Sequence, residues 1–485
     1  MKVYFRADGN SEMGLGHMVR CGALAEIIRE DTRRILFTRC QLGPIVEEMR
    51  EVFDEVIQLH EEISAQEELK QFTQAISPAD LVVIDGYHFK GDYQQKIVDS
   101  GALLVCIDDI HTYPFKSSAI INSAGNIKPS DYDALPQTQF FLGPAYTLLR
   151  KSFLKKALKR QQRIENSSVF ICLGGADPAN ATLDVLEFAI ALNKFDQYFV
   201  VVGNGYRYFD ELERYIAGKD DISVLKGLSA ADLADTMAKC SYGICSPSTV
   251  CYEYMTVGGV VYLKQIADNQ QDMIQYLVEN GFSFLLENAG NTTKEQEEES
   301  LIRQMNVFDG KAGERLKSVF EKLFLSKQVN TRRVKKDDLM LCYEWANDPM
   351  VREQSFNSNA IPLAEHEQWF NSKLQDPYSF YYILELENNS FAQIRFQVSD
   401  SNAVLSYLID KDYRNKGLGT TILSKGIEAF IKDFNTAIDI IGYVKFSNVA
   451  SQRSFEKLNF EKQEAIEYDT SYKYVMHYDG NSNSK

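Results

Sequence analysis

The chain has 485 residues, more than the roughly 250–300 over which one hydrophobic core keeps growing, so two or three domains are expected. With 45% hydrophobic and 25% charged residues it is not a disordered chain, and no apolar run approaches the roughly 20 residues of a membrane-crossing helix. A net charge of −16 argues against a protein that grips a nucleic-acid backbone through clustered Lys and Arg.

The opening residues Met1-Lys2-Val3-Tyr4-Phe5-Arg6 read as a short strand, not as a secretory signal. Buried strands are predicted at Val3–Phe5, Ile35–Phe37, Leu81–Ile84, Leu103–Ile107, Ile120–Asn122 and Phe140–Leu142, with amphipathic stretches such as Met18–Arg29 and Tyr93–Ser100 between them. That alternation predicts a parallel, doubly wound α/β sheet. After a basic, helix-prone stretch at Arg150–Lys156, it restarts with Val169–Leu173, Tyr198–Val202, Ile222–Leu225, Tyr242–Cys245 and Val260–Leu263. The acidic run Glu295–Glu299 reads as a solvated helix face.

Beyond Leu325–Thr331 the texture changes. Tyr381–Leu386, Phe391–Val398 and Val404–Ile409 are consecutive strands with short connections, followed by a glycine turn, a helix at Ile422–Ile431 and a strand at Ala437–Val444. The expected division is 1–160 and 161–326 for two Rossmann-like lobes, 327–478 for an α+β domain, and 479–485 for a polar, disordered tail. Eight cysteines and six histidines are dispersed without metal or redox spacing, so no protein-held metal and a reduced, cytoplasmic setting are expected.

Three places carry chemistry. In the first, Gly14-Leu15-Gly16-His17 follows the first strand and opens a helix, where ligands of open α/β sheets bind. The positive end of a helix disfavours a protonated imidazole, which leaves His17 as a proton acceptor; the alternative is a capping or core-packed histidine. Asp8 ends the strand nearby, either to orient that imidazole or water or to form the turn.

In the second, Gly174-Gly175-Ala176-Asp177 opens a helix after a strand and offers amides to a pyrophosphate, or is simply a strand–helix turn. Ser248 and Thr249 cap a helix and could donate to phosphate; Glu253, one turn in, could accept from ribose; Asn269 and Gln270 start the next helix and could reach the sugar or its phosphates. Capping, or a solvated helix position for Glu253, is the alternative for each.

Together with Arg6-x-Asp8, Arg20, Asp85-x-Tyr87, Asp108-Asp109, Leu142-Gly143-Pro144-x-Tyr146-x-Leu148-Leu149-Arg150, Gly174-Gly175-x-Asp177, Ser248-Thr249-x-x-x-Glu253 and Asn269-Gln270, these segments resemble nucleotide-sugar glycosyltransferases of the GT-B type. They are more similar still to the UDP-sugar hydrolases of pseudaminic acid biosynthesis. The resemblance implies metal-independent release of UDP from a diacetamido-trideoxy-altrose nucleotide, with water attacking the anomeric carbon with inversion. It makes His17 the base and Glu253 and Asn269 UDP-contacting residues; Gly14, Gly16, Gly174, Gly175, Asp177, Ser248, Thr249 and Gln270 are expected against the UDP-sugar from the turns and helix starts read above.

In the third place, the strand ending Leu408-Ile409-Asp410 leads to Arg414-Asn415-Lys416-Gly417-Leu418-Gly419-Thr420 and a helix. Arg-x-x-Gly-x-Gly at that junction fans backbone amides towards a pyrophosphate. With Val444-x-x-x-Asn448-x-x-Ser451-x-x-x-Phe455, it resembles the GNAT superfamily of N-acetyltransferases. Trp345–Arg352, His366-x-x-Trp369-Phe370 and Gln393–Phe396 look like its amino-sugar-acting branch.

The GNAT resemblance implies acetyl-CoA held by Leu408, Arg414, Lys416, Gly417, Leu418, Gly419, Thr420, Asn448 and Ser451. Many members carry a tyrosine where Phe455 stands, as general acid for the departing thiolate, and phenylalanine has no proton to give. Tyr407 or Tyr443 could substitute, although packing is the ordinary role of a strand tyrosine.

The expected function is therefore acetylation of a UDP-linked 4-amino sugar followed by hydrolytic release of UDP. Small molecules are the expected partners, without nucleic acid or membrane. The alternatives are a GT-B glycosyltransferase fused to an acetyltransferase of another amine, and a UDP-sugar sensor without turnover.

Overall fold

A computed structural model describes residues 2–10, 15–28, 31–41, 43–157, 164–175 and 177–480, with the side chain of Asn269 outside that description. The described residues gather into two compact units. One is drawn from 1–114, 120–132 and 141–318; the other is drawn from 115–119, 133–140 and 319–485.

The first unit carries two mainly parallel sheets. Strands β1 (Lys2–Ala7), β2 (Arg33–Thr38), β3 (Glu55–Gln58), β4 (Leu81–Asp85), β5 (Leu103–Ile107), β6 (Ala119–Asn122) and β7 (Gln139–Leu142) lie in the order β3-β2-β1-β4-β5-β6-β7. The pairs from β3 to β5 are parallel. Their central strands are apolar along nearly their whole length because both faces are covered. The strand order reverses direction between β1 and β4, which makes the carboxyl ends of those two strands the ligand-binding edge.

The second sheet repeats the plan with β8 (Ser168–Cys172), β9 (Gln197–Val202), β10 (Ile222–Lys226), β11 (Tyr242–Cys245), β12 (Val260–Leu263) and β13 (Phe284–Leu285), ordered β10-β9-β8-β11-β12-β13 and parallel throughout. Alternate residues of β8 feed different cores: Val169 and Ile171 join one cluster, Phe170 and Cys172 the other. Burying each such side chain is worth about 1.5–3 kcal/mol. Here the reversal falls between β8 and β11.

The second unit holds a sheet of β14 (Val329–Arg333), β15 (Ser379–Leu386), β16 (Asn389–Ser399), β17 (Asn402–Ile409), β18 (Ile438–Lys445), β19 (Glu461–Glu464) and β20 (Ser471–Tyr478), ordered β14-β15-β16-β17-β18-β20-β19. It is an antiparallel meander up to β17, which then pairs in parallel with β18 through the helix Gly419–Phe434. The β17–β18 ladder runs only from Asn402–Asp439 to Leu405–Gly442. Beyond those pairs the backbones are no longer joined.

One expectation is corrected. Glu295–Glu299 does lie on a helix, Lys294–Val307, with Glu295, Gln296 and Glu299 exposed as expected, but Glu297 is 2% exposed and is not solvated. Lys194 Nζ at 2.5 Å, Thr292 Oγ1 at 2.9 Å and the hydroxyls of Tyr262 and Tyr242 all donate to its carboxylate. A carboxylate so satisfied tolerates burial.

Candidate active sites

The helix Gly16–Ile27 starts at the carboxyl edge of β1, which puts His17 in its first turn, 5% exposed. Its Nδ1 lies 2.6 Å from Oδ1 of Asp85, the last residue of β4, across the reversal point. Asp85 is 1% exposed and also accepts from Arg20 Nε at 2.9 Å and Nη2 at 2.7 Å. Arg20, one turn beyond His17, continues to Asp109 at 2.8 Å. Tyr87 lies edge-on to the imidazole with ring centroids 4.9 Å apart, and its hydroxyl donates to Asp109 at 3.3 Å. Burial and Asp109 push that phenol up to about 12, so it stays protonated.

Arg20 Nη2 lies 2.8 Å from the same Nδ1; in the tautomer whose Nδ1–H is given to the Asp85 carboxylate, Nε2 is the nitrogen left to take a proton. Asp85 was legible only as part of a motif. The signal for its role is that it ends the strand beside β1, which no pattern in one sequence gives.

Asp8 does not perform that orientation. Its carboxylate is taken by Arg6 Nη2 at 2.8 Å, by the backbone amide of Arg39 at 2.6 Å and by His88 at 3.2 Å. Arg6 is fully buried, bonds Glu68 as well at 2.8 Å, and lies over the Phe89 ring. Burial raises the Asp8 carboxyl, but His88 and Arg6 outweigh it and hold the group well below the usual range. Asp8 braces the strand end beneath the site, because it is the nearest counter-charge to a buried guanidinium. Gly16 is exposed at the helix start, with open space around it; Gly14 lies outside the described residues.

At the second sheet, Gly174 takes φ +105°, a left-handed-side conformation that a residue with a Cβ resists. Gly203 packs so closely on Gly175 that a Cβ there would lie 2.2 Å from the Gly175 carbonyl. Asp177, 4% exposed, accepts from Ala181 N, Thr182 N and Thr182 Oγ1 at 3.0, 2.7 and 2.6 Å. Its carboxylate therefore caps the helix Ala181–Ala191 and shapes the turn; direct ligand contact is not what this geometry offers.

Ser248 precedes the helix Thr249–Val257 without a side-chain cap. Its hydroxyl pairs with that of Ser246 at 3.1 Å, and Thr249 begins the helix. Glu253, 3% exposed, receives Arg150 Nη2 at 2.9 Å. Burial raises its carboxyl, only partly offset by Arg150. The Gln270 side-chain oxygen accepts from the amides of Ile266 and Ala267. Asn269 lies in the same short turn, its side chain outside the described residues.

In the second unit, Asn415 (φ +61°) and Gly417 (φ +73°) take left-handed backbone angles within one turn, the kind of backbone that can present successive amides to a phosphate. Leu418 is 2% exposed and Gly419 starts the helix Gly419–Phe434, followed by Thr420. Arg414 is bound by Asp348 at 2.7 Å and donates to the Ile409 carbonyl, so its charge is already matched; Lys416 lies over Tyr413. Asn448 Oδ1 caps its helix by accepting from Ser451 N at 3.1 Å, and Ser451 Oγ accepts from Tyr407 at 3.0 Å. Leu408, half-buried, is the last residue but one of β17.

Among the described residues, no three His, Cys, Asp or Glu side chains are grouped to hold a metal, and no helix is long and apolar enough to cross a membrane. All eight cysteines are buried and outside any disulfide.

Comparison with known proteins divides the chain in two. Residues 328–461 match the acetyltransferase (GNAT) domain family. An uncharacterized protein of Methanocaldococcus jannaschii is 24% identical over 95% of this chain and 97% of its own. The UDP-2,4-diacetamido-2,4,6-trideoxy-beta-L-altropyranose hydrolase of Campylobacter jejuni is 24% identical over 58% of this chain and 98% of its own. The spore coat polysaccharide biosynthesis protein SpsG of Bacillus subtilis is 24% identical over 53% of this chain and 75% of its own. The chain thus joins a region homologous to that UDP-sugar hydrolase to a GNAT acetyltransferase domain.

Proposed function

We propose that this chain is a bifunctional enzyme. Residues 327–478 would acetylate the 4-amino group of a UDP-linked 4-amino-4,6-dideoxy-N-acetyl-altrosamine with acetyl-CoA. The lobes at 1–160 and 161–326 would then release UDP from the product by hydrolysis with inversion. The carrying observation is His17 Nδ1 held by Asp85 at the reversal point of the first sheet, in a region homologous to a UDP-sugar hydrolase.

In the hydrolytic step His17 Nε2 takes a proton from water as the oxygen attacks the anomeric carbon. Asp85 accepts the Nδ1–H bond and stabilises the imidazolium that forms, and the C–O bond to UDP breaks on the opposite face. Amides at Gly16, at Gly174 and Gly175, and at the helix start by Ser248 and Thr249 meet the growing negative charge on the diphosphate. Glu253 and Asn269 take the uridine end, and Gln270 holds the turn that carries Asn269. In the acetyl step, amides of Gly417, Leu418, Gly419 and Thr420, with Lys416, hold the coenzyme pyrophosphate. Leu408, Asn448 and Ser451 line the pantetheine, and Arg414 is fixed by Asp348 to shape the turn. Buried cysteines outside any disulfide suit a reduced cytoplasm.

Time-resolved NMR of the reaction with acetyl-CoA and the UDP-amino sugar tests the reading. The first-formed free sugar should be N-acetylated and of inverted anomeric configuration. Retention at the anomeric carbon, or UDP release only when a second sugar or lipid acceptor is added, would overturn it in favour of a glycosyltransferase.

A further inference from the structure

Breaking a thioester leaves a thiolate that needs a proton, and Phe455 supplies none. Its ring is 2% exposed and fixed on every side: it stacks on Tyr474 with centroids 5.1 Å apart, meets Phe460 edge-on at 4.8 Å, and fills the space over Gly442, where a Cβ would be 2.3 Å from it. We propose that Tyr407 gives the proton to the departing sulfur of coenzyme A, taking over from the other side of the β17–β18 opening the task that residue 455 cannot perform. This rests on the acetyltransferase reading above.

The placement comes from the strand register. The β17–β18 ladder stops at Leu405–Gly442, and Tyr407 is two residues further along β17, on the same face as Leu405. Its ring lies 6.2 Å from that of Phe455, and its hydroxyl donates to Ser451 Oγ at 3.0 Å, one helical turn before Phe455 on the same helix face. A Cβ at Gly419, where the coenzyme turn becomes helix, would lie 3.6 Å from the same hydroxyl. The phenol thus sits between the coenzyme turn and the coenzyme-facing side of helix Val449–Glu456. Tyr443, the other strand tyrosine, follows Gly442 and so points to the opposite face, where its hydroxyl is bound to Glu467 at 3.0 Å and its ring meets Tyr468 edge-on. Burial raises the Tyr407 phenol despite its bonds to Ser451 and Ser454, so it holds its proton at neutral pH.

The step balances without another reactant. The neutral amine attacks the acetyl carbon, the C–S bond breaks with its electron pair going to sulfur, and sulfur takes the Tyr407 proton. The phenolate recovers the proton lost by the new amide nitrogen, passed through the Ser451 hydroxyl or water. Amine and acetyl-CoA become amide and free thiol.

The test uses the full chain, with thiol release from acetyl-CoA and the UDP-linked 4-amino sugar measured across pH. Tyr407→Phe should lower kcat by about 100-fold or more, the range of a lost general acid, with the KM for acetyl-CoA nearly unchanged. It should also remove the alkaline fall in kcat that phenol ionisation causes. Phe455→Tyr in that background should restore about tenfold or more, while the same substitution in the wild type should change kcat by less than about twofold. The inference is overturned if Tyr407→Phe keeps its kcat and alkaline limb, or if it loses rate that Phe455→Tyr does not restore. It is also overturned if Phe455→Tyr alone speeds the wild type tenfold, which would mean that solvent had been the acid; that variant reports even if Tyr407→Phe fails to fold. Absence of any acetyl transfer by the wild type would instead sink the acetyltransferase reading itself.

Discussion

The His17 site and the turn proposed to hold the coenzyme are built of different materials. Around His17 the parts are side chains locked in ion pairs, buried for Asp85 with Arg20 and for Arg6 with Asp8 and Glu68, and carried on by Arg20 to the exposed Asp109. At the coenzyme turn the parts are backbone amides aimed by Asn415 and Gly417, and the nearest guanidinium, Arg414, is already matched by Asp348. A site made of paired buried charges fails when one partner is removed, since the other is left unpaired in a poor solvent. A site made of amides is insensitive to its side chains but sensitive to a change of backbone conformation.

That contrast ranks the expected effects. Asp85→Asn should be the most severe for hydrolysis, lowering kcat by roughly 10²–10⁴-fold while acetyl transfer is untouched, because the imidazole loses the acceptor that fixes its ring. Steady-state UDP release measured beside thiol release checks it; equal losses in both activities would mean general unfolding and would erase the contrast.

Asp8→Asn should cost about 1.5–3 kcal/mol of stability at neutral pH, because Arg6 keeps its charge and loses one of its two carboxylate partners while Glu68 remains. The sign of the pH dependence follows from Asp8's lowered carboxyl. Its ionised form stabilises the fold above the ordinary value of about 4, and that contribution is lost as pH falls below it towards the folded value. Melting curves should therefore converge for wild type and variant on acidification; a constant gap down to pH 2 would show that Asp8 is not the group responsible.

Gly417→Ala is the mildest change. It forces a Cβ into φ +73° at a cost of about 1–2 kcal/mol, so KM for acetyl-CoA should rise roughly tenfold with hydrolysis of an already acetylated UDP-sugar unaffected. An unchanged KM would mean that the turn's amides do not hold the coenzyme.

The same contrast decides how much was legible beforehand. The coenzyme turn announces itself because glycine spacing is a direct trace of backbone conformation, and Gly417 and Gly419 stand where the pattern puts them. His17 was legible as a residue but its partner was not: Asp85 is 68 positions away and is brought to it by β1–β4 pairing, so Asp8, close in sequence, was the natural choice.

Asp177 and Gln270 turned inward to cap their own helix and turn, since a carboxylate or amide beside free helix amides finds them before any ligand does. The strands divided in the same way. The buried cores β4, β5 and β8 read directly as apolar runs, whereas β19, Glu-Lys-Gln-Glu on an exposed edge, has no apolar period to read. β20 hides its buried Tyr474, Val475 and Met476 between Lys473 and His477.

The most direct test of the central claim is a mass-resolved time course of wild type and His17→Ala, each supplied with acetyl-CoA and the UDP-linked 4-amino sugar. Wild type should yield free diacetamido sugar and UDP, and the variant should accumulate the acetylated UDP-sugar at the wild-type rate of acetylation. Free sugar released by His17→Ala at a comparable rate, or acetylated UDP-sugar that wild type never cleaves, would contradict the account.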